Sequence, residues 1–421
     1  MENSSSMETP SLEKRDDCLA EHANRVRKVA DWQVLPLLLF GFATYQLDRT
    51  NISSALTGGL ASAIGVDQNT INLGNQLMYT GVIVLEITSS IVLHRVGPRW
   101  WIGGQVLIVG IIAAMQVFIR NKTGFLLTRA LLGLAEAGYI PGAMFTLSTW
   151  YTKEELTKRI AIFFFGMFGG TAISPLLGAG LLRLNGRCGI SGWQWIFLVE
   201  GIWSVTLSLM LMFLLPERSA YQPTWVDEKE EKDEQTRSRI PLTVVWKTLT
   251  NVYKWPHFLA TACIFSTWCP LTTYSPSVIM SLGLSRVQAN ALAAIGFLLT
   301  LPVVLFFAWL SDKMKKRGIT VMIAISAYLI ALICLRTIQP HVGRWSKFGL
   351  WTTVNGLAVG YHPIHNAWIQ MNSQSPEERS IGVAMFVMTA TSGLMAGTQI
   401  FRQDESSDFY PRGLIIMIAL G

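Results

Sequence analysis

Apolar runs of about 20 residues recur along this chain, the length a helix needs to cross roughly 30 Å of hydrocarbon. They fall near residues 32–55, 72–93, 101–119, 125–149, 160–182 and 195–215. A second set lies near 257–280, 288–310, 319–336, 348–370, 380–401 and from 413 onward. In lipid, each segment must satisfy its own backbone N–H and C=O groups, so such runs fold as helices. The expected fold class is all-α transmembrane, built as two six-helix bundles. The last run stops at Gly421, and an incomplete final helix is expected there. Only 14% of the 421 residues are charged, against about 25% in soluble proteins.

The net charge of +7 reports topology. With the N-terminus in the cytosol, one side collects Arg25, Arg27, Lys28, Arg95, Arg99, Lys153, Lys158 and Arg159, then Lys313, Lys315, Lys316 and Arg317. The opposite side carries fewer basic residues, which fits the positive-inside rule and points away from nucleic acid. Residues 1–31 are polar, lack the apolar core of a signal peptide, and read as a disordered cytosolic tail. Residues 216–256, with the mixed-charge run Asp227 to Glu234, read as a charged cytosolic loop. The expected domains are thus the tail, a bundle over 32–215, the loop, and a second bundle over 257–421. Three of the five cysteines, Cys263, Cys269 and Cys334, fall inside spans. Neither a disulfide framework nor a cysteine metal site is expected.

Charges inside the spans point to function. Asp48 and Arg49 sit side by side in the first, and Arg129 and Glu136 lie seven residues apart in the fourth. A charge near the middle of a membrane helix costs about 2.5–3.5 kcal/mol, so it needs a partner or a task. Seven residues is almost two turns, so Arg129 and Glu136 can share a face. Adjacent residues point about 100° apart, so Asp48 and Arg49 cannot both face one target. With both acids ionised these four charges cancel. Protonating one acid leaves a net +1, which attracts an anion. A purely structural salt-bridge lattice is the alternative.

Two short loops repeat a basic cluster with a glycine: Leu93-His94-Arg95-Val96-Gly97-Pro98-Arg99 and Trp309-Leu310-Ser311-Asp312-Lys313-Met314-Lys315-Lys316-Arg317-Gly318. They resemble the signature loops of the major facilitator superfamily, G-x-x-x-D-R-x-G-R, with His94 where the first usually has Asp. The resemblance spans nearly the whole chain and implies a gating role for Arg95, Arg99, Asp312 and Arg317. Leu47-Asp48-Arg49-Thr50-Asn51-Ile52 and the fourth-span run Arg129 to Gly142 resemble the anion:cation symporter family. Asn372-Ser373-Gln374-Ser375-Pro376 and Gln399 to Asp404 resemble its fungal branch, with allantoate, nicotinate, pantothenate and sulfonate permeases. That resemblance implies that Arg49 binds a substrate carboxylate, that Asp48 and Glu136 carry protonation, and that Arg129 pairs among them.

Beyond these four, Tyr79, Tyr274 and Asn355 are candidate substrate contacts, Glu86 a gate, packing or proton residue, and Glu200 an acid snorkelling at the outer mouth. His362 and His365, three residues apart, can share a face without further metal ligands in view. Glycines such as Gly133, Gly138 and Gly142 read as helix-packing positions. No nucleophile elbow or phosphate-cradling loop appears, so an enzyme is not expected, nor any cofactor. The expected function is import of a small organic anion, a carboxylate or sulfonate, by proton symport with alternating access, in a plasma-membrane monomer. The rival readings are a drug:proton antiporter and a non-transporting nutrient sensor or inactive truncated product.

Overall fold

The computed structural model describes residues 24–151, 153–217, 242–373 and 376–421. All regular structure among them is helical. Helix α1 (Leu35–Thr57) continues from a π-helical turn at Ala30–Val34, so the helical chain starts at residue 24, ahead of the expected 32. Helix α2 (Gln68–Val96) is capped by Asp67, which accepts from the Thr70 backbone N–H at 3.0 Å and from its hydroxyl at 2.5 Å. Those two hydrogen bonds hold the Asp67 carboxyl below its usual pKa. Gly97, at φ 90°, ends α2, and Pro98 opens α3 (Pro98–Met115), where a missing N–H costs nothing.

The fourth span is broken into α4 (Lys122–Glu136) and α5 (Tyr139–Trp150). Helices α6 (Lys153–Leu181) and α7 (Gly192–Leu214) follow, the latter entered through a Ser191–Gln194 capping box. Residues 218–241 of the expected charged loop lie outside the described residues, as do residues 1–23 of the expected tail. A short helix, α8 (Leu242–Leu249), leads to α9 (Trp255–Ser281), α10 (Arg286–Met314) and α11 (Arg317–Ile338). The tenth span is also broken, into α12 (Arg344–Leu357) and α13 (His362–Met371). Helices α14 (Pro376–Gly397) and α15 (Pro411–Leu420) complete the second bundle.

Among the described residues six helical stretches are long and apolar enough to cross a membrane, including Pro98–Phe118, Gly192–Leu214 and Arg286–Met314. The expected first, second and seventh spans are of similar length, at 23, 29 and 27 residues. Their buried faces are polar, with Thr44, Gln46, Asp48, Thr50 and Asn51 on α1 and Thr267, Thr272, Thr273 and Ser275 on α9. Helices turned toward the middle of the protein can hold polar groups that lipid would reject.

In the first bundle α3 lies along α7, α1 along α6, and α2 along α4; in the second, α9 lies along α14 and α10 along α12. Small residues set the closest approaches. A Cβ added at Gly133 would stand 2.0 Å from the Met78 carbonyl, and one at Gly170 would stand 2.3 Å from that of Ala43. This agrees with the packing reading of Gly133. The bundles meet through α6 with α10, α1 with α9, and α2 with α14.

Candidate functional site

The break in the fourth span builds the centre of the site. Helix α4 ends on Glu136, Ala137 turns extended, and Gly138 adopts the left-handed φ of 90°. The Gln105 amide donates to the freed Ala137 carbonyl. A side chain at Gly138 would also collide with Ser89, whose hydroxyl would lie 1.9 Å from the added Cβ. Glu136 thus stands at a helix end facing α1, where Arg49 Nε donates to its Oε2 at 2.8 Å. The side chains are 8% and 0% exposed, so this is a buried ion pair. The Arg49 guanidinium also lies over the Tyr45 ring at 4.4 Å and the Tyr79 ring at 5.4 Å. Its Nη2 has no hydrogen-bond partner, and neither does Glu136 Oε1.

Arg49 and Tyr79 form part of the wall of a cavity between the bundles. Polar groups reach it from both, Gln46, Thr50 and Asn75 on one side and Thr272, Thr273 and Thr391 on the other. Among the described residues that line it, Arg49 alone is formally charged. Toward the end that carries Arg95 and Lys313, the lining turns aromatic. Phe42 meets Phe164 at 5.7 Å, Phe164 meets His362 at 5.9 Å, and His362 meets Phe265 at 4.9 Å between ring centroids.

A polar cavity between two helical bundles, with one buried guanidinium in its wall, suits a carrier that binds a solute between its halves. The sequence profile of the Major Facilitator Superfamily matches residues 38–398. The chain belongs to that superfamily. This transporter is 27% identical over 420 residues to an uncharacterised transporter of Saccharomyces cerevisiae, covering 94% of this chain and 77% of that one. It is also 27% identical over 305 residues to a protein of Agrobacterium vitis with the provisional name tartrate transporter, covering 70% and 69% respectively. Among solved structures, a bacterial homologue of the human lysosomal transporter Spinster, inward-facing and unoccupied, superposes with a TM-score of 0.70. Identity there is 16%, over 92% of this chain and 93% of that one.

Asp48 points away from the cavity, as its place beside Arg49 requires. It is 1% exposed and faces α7, where Ser204 Oγ lies 3.0 Å from its Oδ2. Arg129 is fully buried, 5.8 Å from the Phe125 ring, with Met78 Sδ at 3.7 Å from its Nη1. Glu86 is partly buried and within electrostatic reach of Arg49. The transporter places two other candidates outside the cavity lining. Tyr274 donates to Asn72 Oδ1 across the bundle interface. Asn355 donates to the Trp351 carbonyl at 2.9 Å and accepts from Ser275 at 3.1 Å.

Of the loop residues, Arg99 donates from Nε to the Met212 carbonyl and from Nη2 to that of Phe213, at the C-terminal end of α7. Arg95 and Asp312 are exposed and Arg317 partly so, and none of them makes an ion pair among the described residues. His362 lines the cavity, while His365 Nε2 lies 2.9 Å from His257 Nδ1. Among the described residues there is no cluster able to hold a metal ion.

Glu200 departs from expectation. Read as an acid snorkelling at the outer mouth, it is 2% exposed and turned into the bundle beside Asp48 and Asn51. It shares a helix face with Ser204, four residues on, and that face meets α1. The polar residues at positions 200, 204 and 208, four apart on one helix face, were the available signal.

Proposed function

We propose that this transporter carries a small organic anion together with a proton, by alternating access across the plasma membrane. The observation that supports this best is Arg49, the single charged residue among the described residues of the cavity wall. It is held through Nε by Glu136 and keeps Nη2 without a partner. A carboxylate or sulfonate entering the cavity meets a guanidinium still able to donate. Protonation of Glu136 removes the competing anion, and Arg49 then turns its charge to the substrate. Proton and anion binding favour one another, as coupling between two sites requires. Tyr45 and Tyr79 support this by holding their rings within cation–π reach of the guanidinium.

The relative named for tartrate transport is consistent with an anion. One guanidinium, bordered by aromatic rings, favours a monoanion with an apolar body over a dianion. The test is uptake into proteoliposomes with an acidic exterior, using labelled benzoate, methanesulfonate and tartrate. The expected result is pH-driven uptake of the monoanions, abolished in Arg49→Ala and partly kept in Arg49→Lys. Uptake indifferent to Arg49 would remove it from the site, and uptake indifferent to pH would remove the proton.

A further inference from the structure

We infer that Asp48 and Glu200 form a carboxyl pair that binds a coupled proton on the face of α1 turned away from the cavity. This rests on the symport reading above and adds a second place to it. Glu136 takes up a proton when Arg49 takes the anion, and the pair on the other side of the same helix is a second proton-binding place that coupling requires.

Three observations carry it. First, the charges do not balance. Asp48, Glu136 and Glu200 are 1%, 1% and 2% exposed, and Arg49 and Arg129 are the buried cations near them. Three carboxylates against two guanidinium groups leave one negative charge unmatched in a membrane interior, a costly arrangement that a bound proton removes.

Second, the hydrogen bonds around Ser204 leave room for a proton on Asp48. Ser204 Oγ lies 3.0 Å from Asp48 Oδ2 and 3.0 Å from the Glu200 carbonyl oxygen. A hydroxyl has one hydrogen and donates to one of them. Both contacts become hydrogen bonds when Ser204 donates to the carbonyl and a protonated Asp48 donates to Ser204. Third, the polar neighbour of the Glu200 carboxyl is the neutral Asn51 amide and not a cation, and Asp48 Oδ1 has no hydrogen-bond partner. An unsatisfied oxygen of this kind is one that a mobile proton can satisfy.

Among the described residues no other cation stands close enough to neutralise the pair. Helix α3 presents Ala114 at Gly201 and Gly110 at Ser204, and its own ionisable residue, Arg99, is bound at the far end of α7. The turns Gln116–Phe118 and Leu182–Leu184 bring one ionisable side chain, Arg183, which is exposed. The ionisable residues of α6 lie at positions 153–159, at its opposite end. Arg129 and Glu136 act on Asp48 from beyond α1.

The experiment uses full-length protein in proteoliposomes, comparing concentrative, pH-driven uptake of labelled benzoate with its counterflow at equal pH. Glu200→Gln should lose concentrative uptake and its pH dependence while counterflow persists, because exchange needs no net proton movement. Glu200→Asp should restore concentrative uptake. Ser204→Ala should shift the pH of half-maximal uptake and keep the counterflow rate. Glu200→Gln accumulating benzoate with wild-type pH dependence would overturn the inference. Equal loss of counterflow and concentrative uptake in both Glu200 variants and Ser204→Ala would also overturn it, as the mark of a structural role. Wild-type protein showing no pH-driven uptake of any anion in the panel would instead overturn the symport reading itself.

Discussion

The two ends of the transporter are held together differently. At the end away from the basic loops, hydrogen bonds run from one bundle to the other. Asn72 accepts from Tyr274 and donates to the Phe401 carbonyl at 2.9 Å, and Gln68 donates to the same carbonyl at 3.1 Å. Asn290 donates to Thr57 at 2.6 Å, and Gln399 to Gln76 at 3.2 Å. At the basic end the polar contacts stay within a bundle. Arg159 pairs with Asp31 at 3.2 Å, Arg27 with Glu155 at 3.0 Å, and Lys254 with Glu378 at 2.7 Å. The cavity is therefore latched at one end by neutral amide and phenol groups, while among the described residues the charged end joins the bundles through apolar and aromatic contact. Neutral hydrogen bonds suit a latch that must open, since each contributes only about 0.5–1.5 kcal/mol net.

The largest effect is expected from breaking the latch. Asn72→Leu removes the bonds to Tyr274 and Phe401, about 1–3 kcal/mol together, which corresponds to a roughly 5- to 150-fold change in the balance between states. The measurement is maleimide labelling of Thr273→Cys, with the native cysteines replaced, from the Gln68 side. Labelling should rise strongly in Asn72→Leu, and unchanged labelling would show that the latch lies elsewhere. A smaller loss is expected at the helix cap on the same end. Asp67→Ala takes away both bonds to Thr70 and should cost about 1 kcal/mol of stability, read as a lower melting temperature in detergent. Because Asp67 bonds only within its own helix, labelling at position 273 should stay as in wild type.

The basic end should respond less. Arg27→Gln removes a half-exposed pair within the first bundle, worth about 0–1 kcal/mol, and leaves the balance between states unchanged. A labelling change as large as that of Asn72→Leu would erase the contrast between the ends. The smallest effect is a pH dependence at Asp31. Burial alone would raise its pKa, but hydrogen bonds from Arg159 and Tyr151 and the charges of Arg159 and Arg27 outweigh it and hold the carboxyl below its usual value. A lowered folded-state pKa stabilises above the unfolded value, near 3.9, and that contribution is lost as pH falls through the folded value. The melting temperatures of wild type and Asp31→Asn should differ at neutral pH and converge below about pH 4. A gap that persists in acid would assign the effect to shape instead of charge.

The helical fold was legible because lipid leaves few choices. Twenty-residue apolar runs with no internal way to satisfy a sheet edge must be helices, and the charged stretch near 230 divides them into two sets. The membrane charges were legible for a related reason, since Asp48, Arg49, Arg129 and Glu136 stand out against an apolar background. Hydropathy failed where helices face the middle of the protein. There α1 and α9 trade apolar residues for Thr, Ser, Gln and Asn, and the broken α4–α5 and α12–α13 spans follow glycine and local backbone geometry.

Sequence also determined that Asp48 and Arg49 would face different neighbours, because the helical repeat alone separates them. It did not determine which neighbours. That Arg49 meets Glu136 while Arg129 stands apart depends on the turn at Gly138, which sets the direction of one carboxylate. That Tyr274 joins a latch and leaves the cavity to Tyr79 depends on how far α2 and α9 overlap at one end. Glu200 shows the limit most plainly. A lone acid near the end of an apolar run has two physical solutions, reaching water or turning inward, and only the packing of α7 against α1 and α3 decided for the second.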